Sequence, residues 1–234
     1  MNQTDPAEKL LQLLGGKWLA AAVSAAASLG IADALIKSPL TLEGLAEKIS
    51  AEPDALRRLM RVLLGEDLII LNSESRFELT EMGDLLVSGE LRELAIFVGS
   101  PFSWDPWSAL ADSVRTGESA FAKHHGNALF DYLDQHSDHA ALYHQAIDEF
   151  SKREAEAVAK LYDFSTARRV ADIGGGQGRL LVEVLSRWKH LTGVLFERPT
   201  ATERAAVSFE KAGIADRCEV QIGDFLKELP DKVD

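Results

Sequence analysis

The sequence predicts an α/β protein in which a mainly helical N-terminal domain of winged-helix type precedes the first half of a doubly wound, Rossmann-like sheet. Three observations support this fold class. In the N-terminal part, two helical patterns are followed by a probable hairpin, which is the order of a winged helix. Further along, a short apolar run ends in a cluster of glycines, and a helical pattern follows. Beyond that point apolar strands alternate with helical patterns, as in a parallel sheet.

The N-terminal elements are predicted from apolar spacing and capping residues. A long helix begins near Leu10, and a short second helix begins after Thr41, its N-cap. Pro53 suits the first turn of a third helix, in which apolar residues recur at i, i+3, i+4 and i+7. Two apolar runs, 68–71 and 77–80, then form the hairpin.

The glycine cluster indicates a nucleotide site. The run from Val170 to Ile173 reads as a strand, and Gly174, Gly176 and their neighbouring glycines allow positive φ and close approach of a ligand. Binding sites for dinucleotides and binding sites for S-adenosylmethionine (SAM) both contain such a turn. Asp172 favours SAM, because a carboxylate attracts the ammonium and sulfonium of SAM and repels a pyrophosphate. The alternative is that Asp172 only caps the turn.

Acidic residues also stand at the ends of the next two predicted strands. The second strand ends in Glu197, at the distance from the glycines where an acid accepts hydrogen bonds from both ribose hydroxyls. Its alternative is a solvated acid at a strand end. Asp224 and Phe225 follow the third strand, where the carboxylate can accept from the adenine amino group and the ring can pack on the adenine face.

Composition limits the classes of partner. The 234 residues carry a formal net charge of -12, which argues against nucleic acid as the main partner. The predicted third helix of the winged-helix module carries arginines but is bracketed by acids, so we predict dimerisation or a substrate lid for this module rather than DNA binding. Histidine spacings give no metal signature. The single cysteine, Cys218, and the lack of a signal pattern or a membrane-spanning apolar run predict a cytoplasmic protein without a membrane partner.

Taken together, these residues resemble the dimeric small-molecule O-methyltransferases, the plant caffeate-type family and its bacterial natural-product relatives, and most of all the anthracycline-type members. The motifs that carry the resemblance are the following: Asp172-Ile-Gly-Gly-Gly-Gln-Gly178, Phe196-Glu-Arg-Pro199, Asp216-Arg217, Gly223-Asp-Phe225, Arg115-Thr-Gly117 with Ala120-Phe121, His125-Gly126, and Tyr162-Asp-Phe164.

The resemblance implies site residues by position. It places Gly174, Glu197, Asp224 and Phe225 against SAM, with Ser151 near the SAM carboxylate. In relatives, the positions that line the acceptor pocket correspond here to Phe121, Tyr143 and Ile147. Asn127 stands where some bacterial relatives have a cofactor-contacting arginine. For Asn127 and the three pocket positions, core packing is an equally good interpretation.

The resemblance also implies an intertwined homodimer and three segments. These are a winged-helix-like dimerisation domain over 1–100, a helical linker lining the acceptor cleft over 101–160, and an incomplete Rossmann-like SAM-binding domain over 161–234. The implied reaction is methyl transfer from SAM to a phenolic or enolic oxygen of a small aromatic or polyketide-like acceptor. The alternatives are a SAM-binding hydroxylase and a non-catalytic dimerising or regulatory module.

Family members continue beyond the position that corresponds to Asp234, through further strands and a His-Asp motif whose histidine is the general base. We therefore expect a truncated sequence, or a second chain that completes the sheet, with truncation favoured. Without those strands the apolar edge of the strand 170–173 is expected to be unpaired. No catalytic base can be named in the chain.

Overall fold

The computed structural model describes residues 5–199, 202, 205–230 and 233, with Arg153 described by its backbone only. By its internal contacts the chain divides into two compact units, residues 1–135 and 136–234, and each is described by itself. The predicted linker over 101–160 is shared between the two units, and the predicted division into three segments stays a prediction.

The first unit is helical apart from one hairpin. Its helices are α1 (Pro6–Ser28), α2 (Ile31–Leu35), α3 (Leu42–Lys48), α4 (Pro53–Gly65), α5 (Glu81–Asp84), α6 (Arg92–Gly99), α7 (Pro101–Trp104), α8 (Leu110–Thr116), α9 (Ala120–His125) and α10 (Leu129–Leu133), with a 3-10 turn over Asp105–Ala109. Strands β1 (Ile69–Leu71) and β2 (Phe77–Leu79) pair antiparallel. The helix, helix, hairpin order of a winged helix is therefore confirmed.

Local chemistry explains the bounds of these helices. The Thr41 hydroxyl accepts a hydrogen bond from the Gly44 amide at 3.2 Å and so caps α3 as predicted. The Glu52 carboxylate caps α4 by accepting from the amides of Asp54 and Ala55, and Pro53 occupies the first turn. Leu45, Met60 and other apolar side chains of α3 and α4 are buried in the core of the unit.

Helix α1 is apolar over most of its length. An 18-residue window reaches a mean hydropathy of 1.3, so by length and composition the helix could cross a membrane. The expectation that no stretch approaches that length is corrected here, because it considered only uninterrupted apolar residues. Core helices of soluble proteins and signal sequences meet the same criterion, and only 17% of the window is buried in the described part of the chain. The expectation of no membrane partner stays a prediction.

The second unit contains α11 (Ser137–Leu161), β3 (Arg169–Ile173), α12 (Arg179–Arg187), β4 (Thr192–Glu197), α13 (Ala205–Ala212) and β5 (Cys218–Ile222). The strands form a parallel sheet in the order β3-β4-β5. Crossover helices between parallel strands are the pattern of a doubly wound sheet, so the predicted fold class is confirmed. Side chains of α12, β4 and α13, such as Leu185, Leu195 and Phe209, form the buried core.

Candidate cofactor site

The second unit contains a cavity of about 280 Å³ beside the glycine loop. Small-molecule sites generally span about 300–1,000 Å³, so this cavity suits one part of a nucleotide-sized ligand. Helix α11 contributes His144, Ile147, Asp148, Ser151, Glu154, Ala155 and Val158 to the lining, and the segment after β3 contributes Asp172, Gly174, Gly175, Gly176, Gln177, Arg179 and Leu180.

The loop between β3 and α12 requires glycine at several positions. Gly174, Gly176 and Gly178 have φ of 71°, 57° and 78°, the left-handed region that other residues avoid. A side chain at Gly178 would also meet the Phe209 ring at 2.5 Å, and one at Gly175 would overlap the Asp172 carboxylate. The glycine cluster therefore lets the loop fold closely onto its own unit and leaves the backbone open to a ligand.

Asp172 lies next to the end of β3 and is only 8% exposed. Its Oδ2 atom has no hydrogen-bond partner within the described part of the chain. Burial, and secondly the nearby charge of Glu197, raise the pKa of Asp172 from 3.8 to about 6, against the opposing effect of the Leu181 amide. A buried, incompletely paired carboxylate of this kind is suited to a cationic ligand.

Glu197 ends β4, one residue beyond the pairing of Ile173 with Phe196. Its Oε2 accepts a hydrogen bond from the Gly176 amide at 3.1 Å, and its Oε1 accepts from the Arg198 amide at 2.7 Å. The carboxylate is therefore held against the glycine loop. Parallel register places this acid at the same sheet edge as Asp172, as the spacing along the sequence predicts.

Asp224 and Phe225 follow β5 at the same edge, because Ile222 pairs with Glu197. Asp224 accepts from the Leu226 amide at 3.0 Å and forms an ion pair with Lys227 at 3.0 Å. Its hydrogen bond with Lys227, and then that with the Leu226 amide, lower the pKa of the Asp224 carboxyl. The Phe225 ring lies against the loop, 3.4 Å from where a β-carbon on Gly174 would be, and is 48% exposed.

The predicted site residues fall into separate groups. Asp172, Gly174, Gly176, Ser151 and Ile147 line the same cavity. Glu197 and Phe225 contact the glycine loop without belonging to that lining, and Asp224 is next to Phe225. Tyr143 lies on α11, and burial followed by the charge of Glu197 raises the pKa of its hydroxyl. Phe121 belongs to the first unit.

Sequence reasoning missed Asp148, Glu154 and Arg179 as lining residues. Arg179 is the first residue of α12, and Asp148 precedes Ser151 by one helical turn. The i, i+3 relation to Ser151 is the signal that could have identified Asp148. For Arg179 the available signal is its position directly after the last glycine of the loop.

Phe121 lines a second cavity, of about 330 Å³, that lies wholly within the first unit. The lining is almost entirely apolar and includes Phe97, Phe102, Trp107 and Leu129. The Phe121 ring packs edge-on against Tyr132, with centroids 5.4 Å apart. Aromatic walls of this kind suit a flat, apolar ligand.

No group of three or more histidine, cysteine or acidic side chains placed to hold a metal ion occurs among the residues that the structure describes. The sequence-based expectation of a metal-free site stays a prediction.

Family models match both parts of the chain. The model of the O-methyltransferase domain matches residues 107–234, and that of the O-methyltransferase dimerisation domain matches residues 11–89. The chain belongs to the O-methyltransferase family. The resemblance proposed from the sequence motifs is thus confirmed.

Two bacterial proteins are among the relatives of this O-methyltransferase-family chain. The chain is 34% identical over 224 residues to the phenazine O-methyltransferase PhzM of Lysobacter antibioticus. This alignment covers 94% of this chain and 65% of that protein. The chain is 36% identical over 236 residues to the mitomycin biosynthesis 6-O-methyltransferase of Streptomyces lavendulae, covering 97% of this chain and 66% of that protein. The chain thus spans about two thirds of the length of the curated relatives it matches.

Solved structures agree with the fold. The crystal structure of LaPhzM has a TM-score of 0.89 at 33% identity, covering 99% of this chain and 70% of that chain. The structure of CalO1, a methyltransferase in calicheamicin biosynthesis, in its SAH-bound form has a TM-score of 0.78 at 33% identity. The match covers 98% of this chain and 69% of that chain.

Proposed function

We propose that the protein is a SAM-dependent methyltransferase and that SAM binds at the glycine loop of the second unit. The observation that carries this proposal is the buried Asp172 carboxylate, whose Oδ2 lacks a partner within the described residues and whose surroundings disfavour its charge. A ligand with an ammonium and a sulfonium supplies the missing positive charge. The SAH-bound form of the similar CalO1 supports the same choice.

The remaining residues around the loop suit the other parts of SAM. Each Glu197 oxygen accepts one backbone hydrogen bond in the structure, and a carboxylate has about four acceptor sites. The Glu197 carboxylate can therefore still accept hydrogen bonds from both ribose hydroxyls. The exposed Phe225 ring offers a face for adenine, and Asp224 an acceptor for its amino group. Ser151, on the α11 wall of the cavity, is proposed to donate to the SAM carboxylate.

For the whole protein we propose methyl transfer to a hydroxyl oxygen of a small aromatic or polyketide-like acceptor. SAM, when bound, would supply the electrophilic methyl group. The aromatic cavity around Phe121 in the first unit suits flat acceptor rings. Tyr143 and Ile147, on α11 of the second unit, stay proposed acceptor-binding residues. The names of relatives that act in phenazine and mitomycin biosynthesis support this class of acceptor. No residue of the chain is assigned as the base.

We further propose a cytoplasmic homodimer formed through the first unit, without nucleic acid or membrane partners. The match to the dimerisation domain supports this assembly. So does a row of exposed apolar side chains on α1, of which Leu11, Leu14 and Trp18 are 68%, 62% and 73% exposed. Contiguous exposed apolar surface of this kind is typical of an interface.

Isothermal titration with SAM tests the proposal. We expect one SAM per chain, weaker binding by the Asp172→Asn variant, and no heat with NAD. Binding of NAD without binding of SAM would overturn the assignment.

Hydroxylation is the second candidate function. The aclacinomycin 10-hydroxylase RdmB of Streptomyces purpurascens is 34% identical over 227 residues, the same percentage identity as for the phenazine O-methyltransferase. Mass spectrometry of products from a panel of phenolic acceptors separates the two reactions. A gain of one methyl group supports the methyltransferase, and a gain of one oxygen atom supports the hydroxylase.

A further inference from the structure

Two side-chain hydrogen bonds within the described part of the chain connect α11 to α12 or to the residue that directly follows α12. At the loop end, Arg179 Nη2 lies 3.2 Å from Asp148 Oδ2. Towards the other end, Trp188 Nε1 donates a hydrogen bond to the Ala159 carbonyl oxygen at 3.2 Å. The first of these hydrogen bonds lies beside the glycine loop, and the second lies at the far end of α12.

The position of Arg179 is not explained by helix formation. A cation in the first turn of a helix opposes the helix dipole, whereas Arg187 in the last turn agrees with it. The Asp148 carboxylate compensates for this, because an anion is favoured near the N-terminus of α12. The Arg179 and Asp148 side chains are only 30% and 28% exposed, so solvent screens their attraction less than that of a surface pair.

The pair also joins the two walls of the cofactor cavity. Asp148 lies on α11, one turn before Ser151, and both line the cavity. Arg179 directly follows the glycine loop and lines the same cavity. Movement of α11 away from the loop would therefore separate Ser151 from Gly174 and Gly176, and the ion pair opposes this movement.

We propose that Arg179 and Asp148 are a positioning pair that fixes the width of the cofactor cavity and so sets the affinity for SAM. This inference rests on the proposed binding of SAM. The pair acts through Ser151 and the loop, and a loss of the pair is expected to weaken binding while the chain remains folded.

The test measures the SAM dissociation constant of four variants by isothermal titration, at a temperature where circular dichroism shows each to be folded. Arg179→Met and Asp148→Asn are each expected to weaken SAM binding about 5- to 20-fold. The double variant is expected to bind SAM no more weakly than the single variant with the larger effect, because substitutions of paired residues are non-additive. Exchanging the charges, with Arg179→Asp and Asp148→Arg together, is expected to recover part of the affinity.

Trp188→Phe is the matched control, because it removes the hydrogen bond from Trp188 Nε1 to the Ala159 carbonyl oxygen, at the end of α12 far from the loop. It is expected to lower the melting temperature and to leave the dissociation constant within about twofold of the unsubstituted chain. Equal weakening by Trp188→Phe and Arg179→Met would show general helix packing and overturn the inference. So would unchanged binding in the Arg179 and Asp148 variants, or fully additive effects. Absence of SAM binding by the unsubstituted chain would instead overturn the proposed function.

Discussion

Replacing Asp172 by asparagine tests the electrostatic account of the cofactor site. Burial and Glu197 raise the pKa of Asp172 from 3.8 to about 6 in the folded chain. The folded state therefore holds this proton more tightly than the unfolded state. Stability from this group is fully present below about pH 4 and is lost as the pH rises through about 6. At about 1.4 kcal/mol per pKa unit, the loss at neutral pH is about 3 kcal/mol.

An asparagine at this position cannot ionise, so the Asp172→Asn variant escapes that loss. Relative to the unsubstituted chain, the variant's free energy of unfolding is expected to be larger at about pH 7.5 than at about pH 4, by about 2.5 kcal/mol, because part of the loss has already occurred at about pH 4. Any constant effect of the amide on packing cancels in this comparison. Urea unfolding of the ligand-free protein at the two pH values, followed by circular dichroism, measures it.

Asp224→Asn is the matched control, because the hydrogen bonds with Lys227 and the Leu226 amide lower the pKa of Asp224. A lowered carboxyl pKa gives stability that is present at neutral pH and lost in acid. Relative to the unsubstituted chain, the free energy of unfolding of Asp224→Asn should therefore be smaller at neutral pH than in acid, the opposite of the result expected for Asp172→Asn. The reasoning is refuted if Asp172→Asn gives the same difference in stability at both pH values. SAM affinity should fall in the Asp172 variant even as stability rises, a trade-off common at functional sites.

Four further substitutions give predictions, three of them in the cofactor site and one on α1. Glu197→Gln should weaken SAM binding at least about tenfold, and its loss of charge should lower the pKa of Asp172, measured by carboxyl NMR titration. Gly175→Ala should abolish SAM binding by titration calorimetry and destabilise the fold, because the new methyl group overlaps the Asp172 carboxylate. Gly176→Ala meets no atom within 4 Å but keeps φ at 57°, so it should cost only about 1–2 kcal/mol in urea unfolding. Trp18→Asp should convert the dimer to monomer in size-exclusion chromatography with light scattering, with SAM binding retained; a persistent dimer would exclude α1 from the interface.

The fold was predictable because its signals are local. Thr41 and Pro53 mark helix starts through chemistry that involves only the next turn. The glycine run identifies the turn between β3 and α12, because few other residues adopt the positive φ seen at Gly174 and Gly178. Alternating apolar runs then suffice to place the strands of a parallel sheet.

The candidate site was predictable where parallel strands end. Register along the sheet brings the ends of β3 and β4 together, so the proximity of Asp172 and Glu197 follows from chain order. The contributions of α11 were harder to predict, because which face of a long helix meets the loop depends on packing. Arg179 and Asp148 lie 31 residues apart along the chain, and no local pattern relates them.

The electrostatics of the loop also discriminate between the two classes of ligand that glycine-rich turns accept. Asp172 is buried beside Glu197, and the charge of Glu197 makes the ionisation of Asp172 less favourable. A pyrophosphate at this place would add like charges, each costing about 4 kcal/mol at a separation of about 4 Å and an effective dielectric constant of about 20. A cationic ligand relieves the same repulsion and lowers the pKa of Asp172 on binding. Under the proposed binding of SAM, the buried acid costs stability only in the ligand-free protein and favours a positively charged methyl donor over a pyrophosphate.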